Sequence, residues 1–431
     1  MGKLILAISG NNLAASQAPQ RLARLRAMTG SGLLVAVGYI DPGNWATDIA
    51  GGSHYGYGLL AVVLVSALLA MGFQVLTARL ALATGLDLAV LTTRYLPRPL
   101  ARAAWLAGEA AILATALAEL IGGAIALRLL FGLPLMGGVG ITALGTLAVF
   151  LYTQGQNERH ELVIGALLGV VALSFLYLLA RAQPSAAEML QGVAATGSTL
   201  RHADAFLIAL GILGATLMPH NLYLHSGDLA QRAAGLDQAD RPLAMRIARN
   251  DTLAALGLAM LINAAILIVA ASSLSGRNGP AVDSLDGAHA ALGATLGAAA
   301  AAIFAIALYA AGQSSTITGV MAGGILSRGF RQGRQSSDRR RAFLTRAVAG
   351  AAALGLLAAT GGQSPDELLV LSQVVLSLAL PFALVPLVVL ACRRDVMGRY
   401  AIQGIGRAAA VLATACIVVL DLYLLWDTLA G

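Results

Sequence analysis

Cysteine is almost missing from this chain. Cys392 and Cys416 are the only two in 431 residues, too few for a disulfide framework or a cysteine-rich metal site. Charge is scarce as well: Asp, Glu, Lys and Arg make up 11% of residues against 58% apolar, and mean hydropathy is +0.78. That balance excludes a water-exposed globule over most of the length. Long polar stretches are few, namely the N-terminal tail, about 183–202, about 228–250 and about 327–342. None is a hidden soluble domain, so the chemistry has to lie within apolar segments or their short connections.

What the chain has instead is apolar runs. Runs of about 20 residues, the length that crosses a hydrocarbon core of about 30 Å, recur over 31–52, 57–82, 103–127, 133–153, 161–180, 203–229, 251–273, 288–326, 343–360, 367–391 and 404–427. They predict an all-α, polytopic membrane protein with eleven transmembrane helices. The eighth window fits either one tilted helix with an extension or a helix plus a re-entrant piece. Residues 1–27 open with Lys3 and a short apolar run, Leu4 to Ile8, that yields at once to Asn11 and Asn12. This is too short for a signal-peptide core with a cleavage site, and it reads as a cytoplasmic tail ahead of a single transport domain over 28–431.

With the N-terminus inside, all 28 Lys and Arg fall in cytoplasmic segments except Arg128, Arg181, Arg201 and Arg277. The opposite orientation inverts that split, so the positive-inside rule predicts a cell-membrane protein with its N-terminus cytoplasmic and its C-terminus outside. The net charge of +7 then needs no nucleic acid. These arginines are dispersed over loops that adjoin anionic lipid headgroups, which makes membrane lipid their partner. Nothing in the chain calls for a cofactor, an enzymatic step or an obligate protein partner.

Two interruptions stand out within the apolar spans. Asp41-Pro42-Gly43-Asn44 breaks the first and Ala215-Thr216-Leu217-Met218-Pro219-His220 breaks the sixth. Freed backbone at bilayer depth is tolerated only where it is buried in protein or lines a cavity. Spans one to five (about 28–182) and six to ten (about 203–392) therefore read as two units, each opening on a broken helix. Five spans per unit invert the second relative to the first, and the eleventh helix, about 404–427, is an appendage. Sequence identity between the halves is not visible, so the repeat rests on topology and on the matched breaks.

The side chains at the breaks suggest a ligand. Pro42 pushes Asp41 out of the α region and Gly43 permits backbone unavailable to other residues, so Asp41, Asn44 and the carbonyl of Gly38 can turn toward one point. The plain alternative is an Asp stabilising its own broken helix through an Asx turn. An ionised carboxylate at membrane depth is costly enough to favour function. In the sixth span the Ala215 carbonyl and the Met218 thioether lie just before Pro219. Met in an apolar helix is ordinarily filler, but opposite an Asp/Asn pair it adds a soft donor to hard oxygens. Magnesium and calcium prefer all-oxygen shells, whereas manganese, ferrous iron and their neighbours accept sulfur. The inferred substrate is a divalent transition-metal ion.

These two motifs resemble the signatures of the Nramp (natural resistance-associated macrophage protein) family of proton-coupled divalent metal transporters. The context resembles it too: Gly51 to Gly58, Ala310-Ala311-Gly312-Gln313-Ser314-Ser315, and Ser372-Gln373-Val374-Val375, over essentially all of the chain from about residue 30. The resemblance implies the leucine-transporter-type inverted-repeat fold and metal uptake driven by protons. It assigns the metal site to Asp41, Asn44, Met218 and the Ala215 carbonyl, with Gly38 and Gln373 as further ligands in particular conformations.

Protons need separate groups. His220 lies two residues past Met218, and Glu109 and Glu119 share the third span about 15 Å apart, as stations on a path rather than one site. The family often carries an Asp three positions before the residue matching Glu119, and here that position is Ala116. Arg340 and Arg341 resemble a basic pair that continues the proton route, with a positive-inside loop face as the plain alternative. His225 is five residues from His220, about 140° around a helix, which argues against a paired-His zinc hydrolase. Asn263 and Gln313 read as interhelical hydrogen-bonding groups.

Two other readings compete. A sodium-coupled organic-solute symporter of the same fold would present a half-helix N-terminus to a carboxylate, and Asp41 opposes that. A metal-selective channel would carry rings of charge, which a single Asp does not provide.

Overall fold

The computed structural model describes residues 21–153, 157–275, 282, 284–331, 338–359 and 365–430, and among them every regular element is a helix. The principal helices are α1 (Ser31–Gly38), α2 (Pro42–Tyr55), α3 (Leu60–Thr84), α4 (Arg98–Phe131), α5 (Leu135–Thr153), α6 (Asn157–Ala182) and α7 (Ala203–Thr216). They continue with α8 (Pro219–Arg232), α9 (Arg241–Ser273), α10 (Ala298–Phe330), α11 (Asp338–Ala359), α12 (Pro365–Ala379), α13 (Pro381–Cys392) and α14 (Gly404–Ala430). Among the described residues eight helical segments are long and apolar enough to cross a membrane. One of these, Pro42–Thr84, contains the turn Gly56–Leu59, and two shorter apolar helices, Leu135–Val149 and Phe343–Ala359, stand beside the eight. Leucines at 106, 144, 173, 176, 258, 261 and 412 are exposed along these helices, as expected where lipid rather than water is the solvent.

The eighth window divides. A short helix, Leu285–Leu296, ends at Gly297, whose φ of 98° is open to glycine, and a 33-residue helix follows it. The seventh helix starts ten residues before the apolar run at 251, with Pro242 in its first turn, because its polar first three turns continue the helix beyond the apolar span. The polar stretch near 183–202 is itself mostly helical, over Ala186–Thr199.

Helices α2, α4, α7, α9, α10 and α12 pack around the two breaks. Small residues make this possible: a Cβ on Gly122 of α4 would lie 2.4 Å from the Pro42 ring, so glycine there admits the break itself. Trp45, fully buried, stacks edge-on against Phe175 of α6 at 5.0 Å and tilts onto Phe304 of α10 at 5.4 Å, which fixes α2 in rotation.

A buried ionic cluster fastens the end of the bundle at which α1 begins. Arg232 donates to Asp228 and Glu161 at 2.7 Å each, and to the carbonyls of Ala27 and Thr29 at 3.0 Å each. The Asp251 carboxylate accepts the N–H groups of Gly30 and Gly32 at 3.1 and 2.7 Å. The start of α1 is thereby tied to α6, α8 and α9, with each buried charge paired or hydrogen-bonded as desolvation demands. Arg21 adds a forked contact to Asp240 ahead of α9.

Candidate metal site at the paired helix breaks

Both breaks end a helix and begin another across a proline. In the first, Asp41 is extended (φ −73°, ψ 163°) and Pro42 occupies the first turn of α2. In the second, Met218 is extended (φ −86°, ψ 121°) and Pro219 opens α8. Proline fits there because the first-turn N–H has no helical acceptor anyway. The other consequence falls four residues earlier. Gly38 would pair its carbonyl with the N–H of residue 42, and Ala215 with that of residue 219, and proline has none. The two carbonyls inferred as ligands are those that the two prolines deprive of helical partners. Each belongs to a helix C-terminus, α1 or α7, where the partial charge is negative.

The breaks meet in space. A Cβ on Gly38 would lie 2.4 Å from Asn221 Nδ2, and one on Gly211 would lie 3.3 Å from Thr47, so α1 runs beside α8 and α2 beside α7. This antiparallel crossing brings Gly38, Asp41 and Asn44 against Ala215, Met218 and Asn221. Helix α12 closes the site: a Cβ on Gly43 would lie 1.8 Å from Gln373 Nε2, so the Gln373 amide sits on the unwound backbone of the first break.

Asp41 serves two purposes. Its Oδ1 caps α2 by accepting the Asn44 N–H at 2.9 Å, as the Asx-turn alternative requires. Its Oδ2 is buried and takes no hydrogen bond. The Asn44 amide donates to the Tyr39 carbonyl at 2.9 Å, and Asn263 of α9 donates to that same carbonyl at 2.8 Å, which holds the unwound segment. Asn263 is thus an interhelical group, and so is Gln313, whose Oε1 receives Thr146 Oγ1 of α5 at 3.4 Å.

Oxygen acceptors outnumber donors at this crossing. Asp41 Oδ2, Asn221 Oδ1, Asn263 Oδ1 and Gln373 Oε1 are all buried without a hydrogen-bond donor. Beside them lies Met218, 1% exposed, with its sulfur 3.8 Å from Asn221 Nδ2. Buried acceptors without donors are costly unless something positive completes them. No cluster of three His, Cys, Asp or Glu side chains occurs among the described residues, so the donor set is one carboxylate with amides, carbonyls and a thioether. Such a shell suits an ion that must leave again better than a resident structural metal.

Two proton candidates sit next to this crossing. His220 Nδ1 is 3.3 Å from Thr115 Oγ1 of α4, and one turn along the same helix Glu119 accepts from Ser315 Oγ of α10 at 2.9 Å. The third, Glu109, is half-buried and takes the Trp105 indole N–H at 2.9 Å within its own helix, apart from the crossing. Arg340 is exposed in the first turn of α11, and the Arg341 side chain lies outside the described residues. His225 does not pair with His220. Its Nδ1 lies 2.8 Å from Gln74 Oε1, and Gln74 in turn donates to the Tyr39 hydroxyl at 2.9 Å.

Sequence reasoning missed Asn221, whose place directly after His220 signalled it, and Asp48, whose signal was a second acid within the first apolar span.

Comparison with known proteins identifies the family. The chain is 50% identical over 404 residues to the divalent metal cation transporter MntH of Brucella suis biovar 1, a match spanning 93% of this chain and 88% of that one. It superposes on the manganese transporter of Eremococcus coleocola, crystallised with an aromatic bis-isothiourea compound, with a TM-score of 0.85 at 34% identity, covering 93% of this chain and 86% of that one. The amino-acid-bound MhsT shares the fold alone, with a TM-score of 0.62 at 17% identity over 91% of this chain and 98% of that one. The Nramp profile, natural resistance-associated macrophage protein-like, matches residues 32–427, and the chain belongs to that family.

Proposed function

We propose that this protein is a proton-coupled secondary transporter that imports divalent transition-metal ions, manganese and ferrous iron among them, across the cytoplasmic membrane. The observation that carries the reading is the excess of buried oxygen acceptors at the crossing, joined by one thioether. Asp41, Asn44, Met218 and the carbonyls of Gly38 and Ala215 hold the ion, and Gln373 joins them in some conformations. The thioether disfavours calcium and magnesium. Related chains support the substrate class, being a divalent metal cation transporter in Brucella suis and a manganese transporter in Eremococcus coleocola.

Alternating access follows from rocking of one group of helices against the other around the crossing. His220 and Glu119, which meet along one face of α4, carry the protons, and Glu109, Arg340 and Arg341 extend the route toward the cytoplasm. The chain crosses the membrane eleven times: Pro42–Thr84 bends at Gly56 and supplies part of two crossings, and the shorter helices Leu135–Val149 and Phe343–Ala359 supply two more. The N-terminus is cytoplasmic and the C-terminus outside. The first repeat is about 28–182, the second about 203–392, and α14 lies beyond both.

Uptake into liposomes holding the purified protein tests the reading, with manganese, calcium and magnesium compared and a pH-sensitive dye inside. Manganese entry that acidifies the lumen and disappears in Asp41→Ala is the expected result. Uptake unaffected by Asp41→Ala would refute the site, and uptake without proton movement would refute the coupling.

A further inference from the structure

Six acids are buried among the described residues: Asp41, Asp48, Glu119, Asp228, Asp240 and Asp421. Five of them accept hydrogen bonds, from the Asn44 N–H, Ser315, Arg232, Arg21 and Ser377 respectively. Asp48 accepts none, and its Oδ2 is buried without a donor. It lies in α2, 2% exposed, seven residues beyond Asp41. Seven residues are two turns less about 20°, so the two carboxyls share a helix face about 10 Å apart.

Among the described residues no cation bonds to this acid. The elements packed on α2 bring Glu119 and Arg128 of α4, Asp204 of α7, Asp286 and His289 of the 285–296 helix, and Asp366 and Glu367 of α12; Arg128 is taken up by Asp286, and none of these bonds to Asp48. Helices α9 and α10 bring Asn263 but carry their ionised groups, Asp251 and Arg328 among them, at the far end. Asp41, two turns earlier on the same face, is the acid nearest to it along α2. An anion here would have neither donor nor counter-charge in the interior of a membrane protein, the costliest arrangement open to a carboxylate. The neutral acid has no such difficulty.

We propose that Asp48 is a second proton-binding carboxyl of the transport path, protonated while the metal site is empty and deprotonated when a divalent cation occupies Asp41. The inference rests on the metal-transport reading above. On binding, the two positive charges of the ion replace the repulsion between the two carboxylates with a net attraction. The Asp48 O–H bond breaks, the electron pair stays on the carboxylate, and the proton passes to water.

The test is manganese binding to the full-length protein by titration calorimetry across a pH series, for wild type, Asp48→Asn and Asp48→Glu. At acid pH, where Asp48 keeps its proton, wild type and Asp48→Asn bind equally, within about twofold. As pH rises wild type draws ahead by up to about 200-fold, the attraction of one carboxylate for a doubly charged ion about 10 Å away at an effective dielectric of about 20. Asp48→Glu restores the divergence. Infrared spectra of the metal-free protein show a protonated-carboxyl band that manganese diminishes and that Asp48→Asn lacks. A wild-type to Asp48→Asn affinity ratio that stays constant with pH overturns the proposal, as does a carboxyl band that survives in Asp48→Asn. Liposomes that import manganese without moving protons would overturn the coupling reading and leave this binding result standing.

Discussion

The two helix breaks answer one backbone problem in different ways. Each puts proline in the first turn of the outgoing helix and so leaves a carbonyl unpaired four residues back, at Gly38 or Ala215. At the first, a side chain then caps the new helix, since Asp41 Oδ1 takes the Asn44 N–H. At the second nothing does, because Met218 stands at the cap position and makes no capping bond. In the proposed site Asp41 is half structural and half ligand, whereas Met218 is ligand alone. Charge and softness in that proposed site are thus divided between two broken helices.

The sharpest way to break that division is at Asp41. Asp41→Ala and Asp41→Asn should each cut manganese uptake by more than about 100-fold, beyond what losing an outer-shell partner costs. Only Asp41→Ala should also lower stability, by about 1 kcal/mol, because Asn still caps. Thermal melts of the two variants beside their transport rates separate the two purposes, and equal melting temperatures would show that the cap contributes nothing.

Next comes the contact that places α12 on the first break. Gly43→Ala sets a methyl 1.8 Å from Gln373 Nε2 and should reduce uptake by about tenfold or more through misplacement of the ligands. Adding Gln373→Ala should recover part of the loss. A double variant no better than Gly43→Ala would locate the damage in the backbone instead.

At the second break the effect is smaller and selective. Met218→Ala should weaken manganese binding several-fold and let calcium and magnesium compete, while leaving the start of α8 as stable as before, since no cap is lost. Calorimetry with the three metals checks it, and unchanged discrimination would remove the thioether from the account of selectivity. Asn221→Ala, which removes only the amide beside the Met218 sulfur, should shift manganese affinity least of all.

Both breaks could be read from residue order because a proline acts locally. It forbids an N–H and fixes the conformation before it, whatever surrounds it. The apolar runs were legible for a similar reason, as hydrocarbon thickness sets their length. The eighth window was not, since a polyalanine stretch with a glycine in it can continue or break, and Gly297 broke it. Nor was Glu109 separable from Glu119 by chemistry. One bonds to a tryptophan on its own helix and the other faces Ser315 across a helix interface, a difference of packing.

Residue order alone determined that this is a membrane-embedded helical protein of two matched halves, each opened by a proline that frees one carbonyl, because composition and backbone covalency act over a few residues. Tertiary packing decided that Gly38 meets Asn221, that Gln373 rests on Gly43, and that of the six buried acids among the described residues Asp48 is left without a donor. Those outcomes depend on which helix faces are brought within a few ångströms of each other, and no local rule of the chain contains that information.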